Sequence, residues 1–150
     1  MKGLLFKFVF AISVFFFFIY FNYTKVQKNL NSPQQTIFTI NLVNAPTVAK
    51  VGEPIQLTWH IDAPNNFQTS HTTIYYGNLS NPGTLTKLIA PQELKYSVSS
   101  SDYLGSNFYL PDNFTLNYNF SKPQRIWFRA YAKIGEDNLW SEEKYIDITP

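Results

Sequence analysis

The stretch from Ile126 to Ile134 alternates without a break over nine residues. Ile126, Phe128, Ala130, Ala132 and Ile134 take one side, and Trp127, Arg129, Tyr131 and Lys133 take the other. Two residues is the side-chain period of a β-strand, so this segment must bury one face and leave the other open. Ile55 to Asp62 repeats the pattern, with Ile55, Leu57, Trp59 and Ile61 opposite Gln56, Thr58, His60 and Asp62. Strands with one apolar face need a second layer to cover it.

The remainder of the chain after residue 36 supplies that layer in short pieces. Ile37 to Val43, Thr72 to Tyr76, Asn107 to Pro111 and Phe114 to Phe120 read as strands, and Thr86 to Ile89 and Tyr96 to Ser99 as weaker ones. Leu139 to Ile148 returns after a hairpin loop at Gly135-Glu136-Asp137-Asn138. Asn44-Ala45-Pro46, Val51-Gly52-Glu53-Pro54, Pro64-Asn65-Asn66, Asn78 to Thr84 and Pro111-Asp112-Asn113 punctuate them with turn residues. Seven or eight strands over about a hundred residues predict an all-β antiparallel sandwich spanning 37–150.

Val51-Gly52-Glu53-Pro54-Ile55-Gln56-Leu57-Thr58-Trp59 resembles the approach to the second strand of immunoglobulin-like and fibronectin type III domains. Phe128-Arg129-Ala130-Tyr131-Ala132, followed by a hairpin and Leu139-Trp140-Ser141-Glu142-Glu143, is similar to the last two strands of fibronectin type III domains. The resemblance covers roughly residues 46 to 149. It implies a two-sheet sandwich with Trp59 in the core, and it leaves Asn78 to Ser106 without a counterpart. The family contains adhesion, receptor and spacer modules, so the fold does not choose a function.

The N-terminus has a different character. Eight of the 14 Phe lie between Phe6 and Phe21, and Phe8 to Phe21 reads FVFAISVFFFFIYF behind Lys2 and Lys7. A charged start and an apolar run form an export signal. No pair of small residues follows at a cleavage spacing, so residues 1–21 are expected to stay attached as a signal anchor. Gly3 to Phe21 forms roughly 28 Å of helix against a ~30 Å hydrocarbon core. Residues 22–36, with Pro33, read as a polar tether. The expected topology is single-pass, contacting the membrane through residues 3–21, with the domain on the extracytoplasmic side. A cleaved signal would make it secreted.

Charge and cysteine usage exclude several classes. Four Lys and no acid lie in residues 1–36, so eight Lys and Arg face ten Asp and Glu in the remainder, a net −2. No basic stripe tracks a phosphate backbone, and nucleic acid is not an expected partner. The chain has no Cys, which removes disulfides and thiolate chemistry. No nucleophile elbow, zinc-protease motif or phosphate loop occurs, and no enzyme or cofactor is expected.

The candidate surfaces follow from the alternation. Trp127, Arg129 and Tyr131 share an outer face, and Trp140 can join them from the next strand, giving a partner-binding patch for a protein or glycan. The competing reading is a Trp–Arg stack that shields the sheet. His60, Asp62 and His71 could supply imidazole and carboxylate metal ligands, although three-ligand geometry is demanding. The acidic pairs Glu136-Asp137 and Glu142-Glu143 read as solvating a turn and a strand end. Asn22, Asn78, Asn113 and Asn119 each begin an Asn-x-Ser/Thr sequon, used only where the host glycosylates exported chains. The expected function is a membrane-anchored, non-catalytic interaction or adhesion module. A structural subunit or adaptor of a surface appendage or envelope complex is the alternative, and a small His-based metal domain a further one.

Overall fold

The computed structural model describes Tyr20, residues 37–96, Val98, Ser99 and residues 102–150. The expected anchor, the tether and Asn22 lie outside these residues, Tyr20 apart. Thr36–Pro150 form one compact unit. Among the described residues it holds ten strands: β1 Thr39–Asn44, β2 Val48–Lys50, β3 Pro54–Asp62, β4 Gln68–Gly77, β5 Val98–Ser99, β6 Leu104–Tyr109, β7 Asp112–Asn119, β8 Gln124–Ile134, β9 Asp137–Trp140 and β10 Lys144–Thr149. A 3-10 turn occupies Pro91–Glu93.

Two sheets pack face to face. One has the order β1-β3-β7, and the other β2-β10-β8-β4-β5, with β6 beside β4 and β9 beside β8. This is the two-layer arrangement of an immunoglobulin-like sandwich. It differs from the expectation in two respects. Ten strands are found among the described residues, because Val48–Lys50 adds one that the turn-bounded pattern did not show and the expected last strand is broken into β9 and β10. One pairing is parallel, β2 against β10, where the chain crosses from one sheet to the other.

The alternating residues behave as their period requires. Ile55, Leu57, Trp59 and Ile61 of β3 face Ile74 and Tyr76 of β4, Ile126, Phe128, Ala130, Ala132 and Ile134 of β8, and Ile146 and Ile148 of β10 in one core. Each large apolar side chain so buried contributes about 1.5–3 kcal/mol. Trp59 is fully buried and stacks on Phe114 with centroids 5.8 Å apart. Its indole N–H donates to Thr72 Oγ1 at 2.8 Å, and that hydroxyl donates to the Tyr131 carbonyl at 2.7 Å. The only polar atom of the buried ring therefore ties one sheet to the other.

The expected strand Leu139 to Ile148 is interrupted at Ser141–Glu143. The Ser141 hydroxyl accepts from the Ala130 amide at 2.9 Å, so a side chain completes the ladder where the backbone leaves it. The hairpin before it is tighter than expected. Ile134 pairs with Asp137, leaving Gly135-Glu136 as the loop, and Gly135 takes the positive φ of +57° that the turn needs.

Asn78 to Tyr96 contains no strand, so the expectation of one at Thr86 to Ile89 fails. The segment is instead a strap. It leaves β4, crosses to β9 and returns to β5. The Asn138 amide donates to the Lys87 carbonyl and the Trp140 indole to the Ile89 carbonyl, both at 2.9 Å. The strap thereby satisfies its backbone with groups of β9 rather than with a ladder of its own.

Candidate functional site

The outer face of the larger sheet carries the side chains singled out by the alternation, and the strap divides that face in two. Under it lie Arg129, Tyr131 and Trp140. Beyond it lies Trp127.

Arg129 is only 3% exposed. Its Nη1 donates to the Ser141 carbonyl at 2.6 Å, and its Nη2 to the carbonyls of Asn81 and Gly83 at 2.8 and 2.7 Å. A buried guanidinium needs such acceptors, since desolvating the charge without them is prohibitive. Glu143 completes the arrangement from the β9–β10 corner. Its carboxylate accepts from Ser80 Oγ and the Asn81 amide, each at 2.6 Å, and from the Tyr96 hydroxyl. Burial pushes the Glu143 carboxyl up, but those hydrogen bonds and the field of Arg129 more than offset it and hold it below its ordinary value. The strap is thus clamped by one cation and one anion.

Tyr131 is as buried as Arg129 and donates to Asn138 Oδ1 at 2.8 Å. Burial, helped by Tyr75, pushes its phenol up to about 12. Its ring packs 4.6 Å from Trp140 and 5.4 Å from both Tyr75 and His71. The proposed contact patch therefore does not exist as a continuous surface. Arg129 and Tyr131 are engaged by the chain's own loop, and Trp140 is half-buried with its N–H committed.

The stack anticipated for Arg129 is built by Arg125 instead. Its guanidinium carbon lies 4.3 Å from the Tyr145 ring centroid and 5.9 Å from that of Trp127. Trp127 and Tyr145 pack at 5.2 Å. Arg125 also forks onto Asp147 through Nε at 2.7 Å and Nη2 at 2.8 Å, which holds the Asp147 carboxyl below its ordinary value. Strand register explains the set. Trp127 pairs with Tyr145 and Arg125 with Asp147 across β8 and β10. Arg125 and Tyr145 were not singled out from sequence, because their neighbourhood depends on that register. Tyr145 remains 39% exposed.

The three metal candidates do not meet. His60 points outward from the smaller sheet, with Nδ1 3.0 Å from Asn113 Oδ1, and Asp62 lies exposed on the same strand. His71 stands on the outer face of the larger sheet among Tyr75 and Tyr131, across the core. Burial lowers its pKa, and its Nε2 is buried without a partner. Among the described residues no three His, Cys, Asp or Glu side chains converge. A single site built from His60, Asp62 and His71 is excluded by the sandwich itself.

Asn78, Asn113 and Asn119 are all exposed. The last two lie on β7, facing out from the smaller sheet. Of the acidic pairs, Glu142 is exposed, whereas Glu143 is the clamp described above and not a solvating charge.

No family model matches the sequence, and no curated protein does. Solved structures share its general shape. A PKD domain of an M14-like peptidase from a Thermoplasmatales archaeon has a TM-score of 0.47 at 14% identity, covering 76% of this chain and 94% of that one. A CARDB domain from Pyrococcus furiosus, solved with di-metal ions, has a TM-score of 0.42 at 16% identity, covering 77% and 90%. A superoxide reductase from Ignicoccus hospitalis has 0.43 at 13%, covering 76% and 82%. Likenesses this distant assign no activity to the chain.

Proposed function

We propose that this chain is a non-catalytic, fibronectin type III-like interaction module, held on the outer side of a membrane by its N-terminal apolar segment, and that it contacts a protein partner through Arg125, Trp127 and Tyr145. The observation that carries the reading is the exposed ring of Tyr145 beside Trp127 and Arg125. Trp, Tyr and Arg are the residue types that dominate protein contacts; Trp and Tyr offer large, stiff surfaces that lose little entropy on docking, and the Asp147 fork holds Arg125 in place here. The Arg125–Asp147 fork presets the guanidinium and cancels its charge, so neither a basic nor an acidic partner is required. Beside this cluster, the strap covers Arg129, Tyr131 and part of Trp140.

Photo-crosslinking tests the proposal on intact cells. A benzoylphenylalanine at Tyr145 is expected to give one discrete adduct, which Trp127→Ala abolishes. The same probe at Gln56, on the opposite sheet, is expected to give none. Equal adducts at both positions, or an adduct indifferent to Trp127→Ala in a folded chain, would remove the cluster as the contact surface.

A further inference from the structure

A crevice of about 460 Å³ lies where the strap meets the β9–β10 corner, walled by Gly83, Leu85, Arg129, Trp140, Glu142 and Glu143 among others. Small-molecule sites typically span roughly 300–1,000 Å³. The crevice belongs to no part of the Arg125–Trp127–Tyr145 cluster and does not rest on the protein-contact reading.

Its walls restrict what would fit. Arg129 contributes one positive charge, and Glu142 and Glu143 two negative ones, so the sum is −1. Phosphates and carboxylates are repelled by the rim, and a cation would have to sit beside the buried guanidinium. The charge pattern therefore disfavours an anionic occupant. Hydrogen bonding narrows the choice further. Arg129 offers an occupant no free donor, since Nη1 and Nη2 are taken by the Ser141, Asn81 and Gly83 carbonyls and Nε is buried out of reach. The Glu142 carboxylate is exposed and offers acceptors. The Trp140 indole N–H is already taken by the Ile89 carbonyl, so this side chain brings an aromatic surface and no free donor. Gly83 takes a positive φ of +95°, which glycine adopts without strain.

A neutral molecule with hydroxyls at its edge and C–H bonds on its face answers all of these groups at once. We propose that the crevice binds one neutral pyranose unit, with the Trp140 ring as its apolar platform and Glu142 as the acceptor of two hydroxyl protons.

The test is an NMR titration of the full chain in a detergent without sugar or choline headgroups. The probes are the methyl pyranosides of glucose, galactose and mannose. At least one is expected to shift the Trp140 indole N–H and the Gly83 amide saturably, with millimolar affinity, and Glu142→Ala should weaken it about tenfold or more. Glu142 is exposed and holds nothing in place, so the variant should keep the fold, which the unshifted Trp59 resonance reports. The proposal is overturned if none of the three sugars shifts those resonances at ~100 mM. It is also overturned if Glu142→Ala binds as the unmodified chain does, or if choline or inorganic phosphate saturates the site instead.

Discussion

Arg129 and Trp127 sit two residues apart on the same strand face and have opposite fates. Three strap and corner carbonyls surround Arg129, so Arg129→Met strands them and leaves Glu143 without its compensating charge. A loss of about 3–5 kcal/mol is expected, as for other broken buried ion networks. Trp127→Ala removes a half-buried ring and one aromatic pairing, and a loss of about 1–2 kcal/mol is expected. Urea denaturation of the two variants checks the order, and an Arg129→Met cost no larger than that of Trp127→Ala would contradict it. Tyr103 supplies a second contrast. Its hydroxyl donates to the Thr115 carbonyl at 2.9 Å and accepts from the Thr115 amide at 3.3 Å, capping the open edge of β7. Tyr103→Phe is expected to cost about 0.5–1.5 kcal/mol and to raise hydrogen exchange at the Thr115 amide, with no change at Leu116. Sequence placed Trp127, Arg129 and Tyr131 on one face correctly, because period two is local. It could not show which of them the chain would cover.

At the scale of elements, strands were legible and the strap was not. Alternation located β3 and β8 within a residue or two, since each side chain's direction follows from its neighbours. The strap has no period. Its fastenings join residues far apart in sequence, 46 positions for Arg129 to Gly83 and 63 for Ser80 to Glu143. Nothing within Asn78 to Tyr96 announces those partners. Glu143 also makes the strap sensitive to acid. Its folded pKa lies below the ordinary carboxylate value, so its contribution is complete above that value, near 4.5, and is lost as pH falls through the folded one. Lowering the pH below about 4.5 is expected to release the strap at Ser80 and Asn81 before the core unfolds. The Asn81 amide resonance should report this as a transition preceding that of Trp59. Glu143→Gln should abolish the early step, and coincident transitions would show that the strap is not an independent unit.

The whole molecule is a sandwich whose two outer faces differ. On the smaller sheet, Gln56, Thr58 and His60 pair side by side with Asn117, Thr115 and Asn113, a polar, mostly uncharged ladder. On the larger sheet, one half is sealed by the strap, and the other presents Tyr145 with Trp127. The separation of His60 from His71 belongs to this scale as well. Spacing alone put them eleven residues apart, yet an intervening change of sheet sends them to opposite sides of the core. In the proposed function the Tyr145 face stands free on the outer side of a membrane. Because the chain has no Cys, a single Tyr145→Cys substitution tests it directly with a membrane-impermeant maleimide on intact cells. Labelling before permeabilisation, at full-length mass and with Ala132→Cys in the core unlabelled, is the expected result. Labelling of Tyr145→Cys only after permeabilisation would place the face inside the cell and contradict the account.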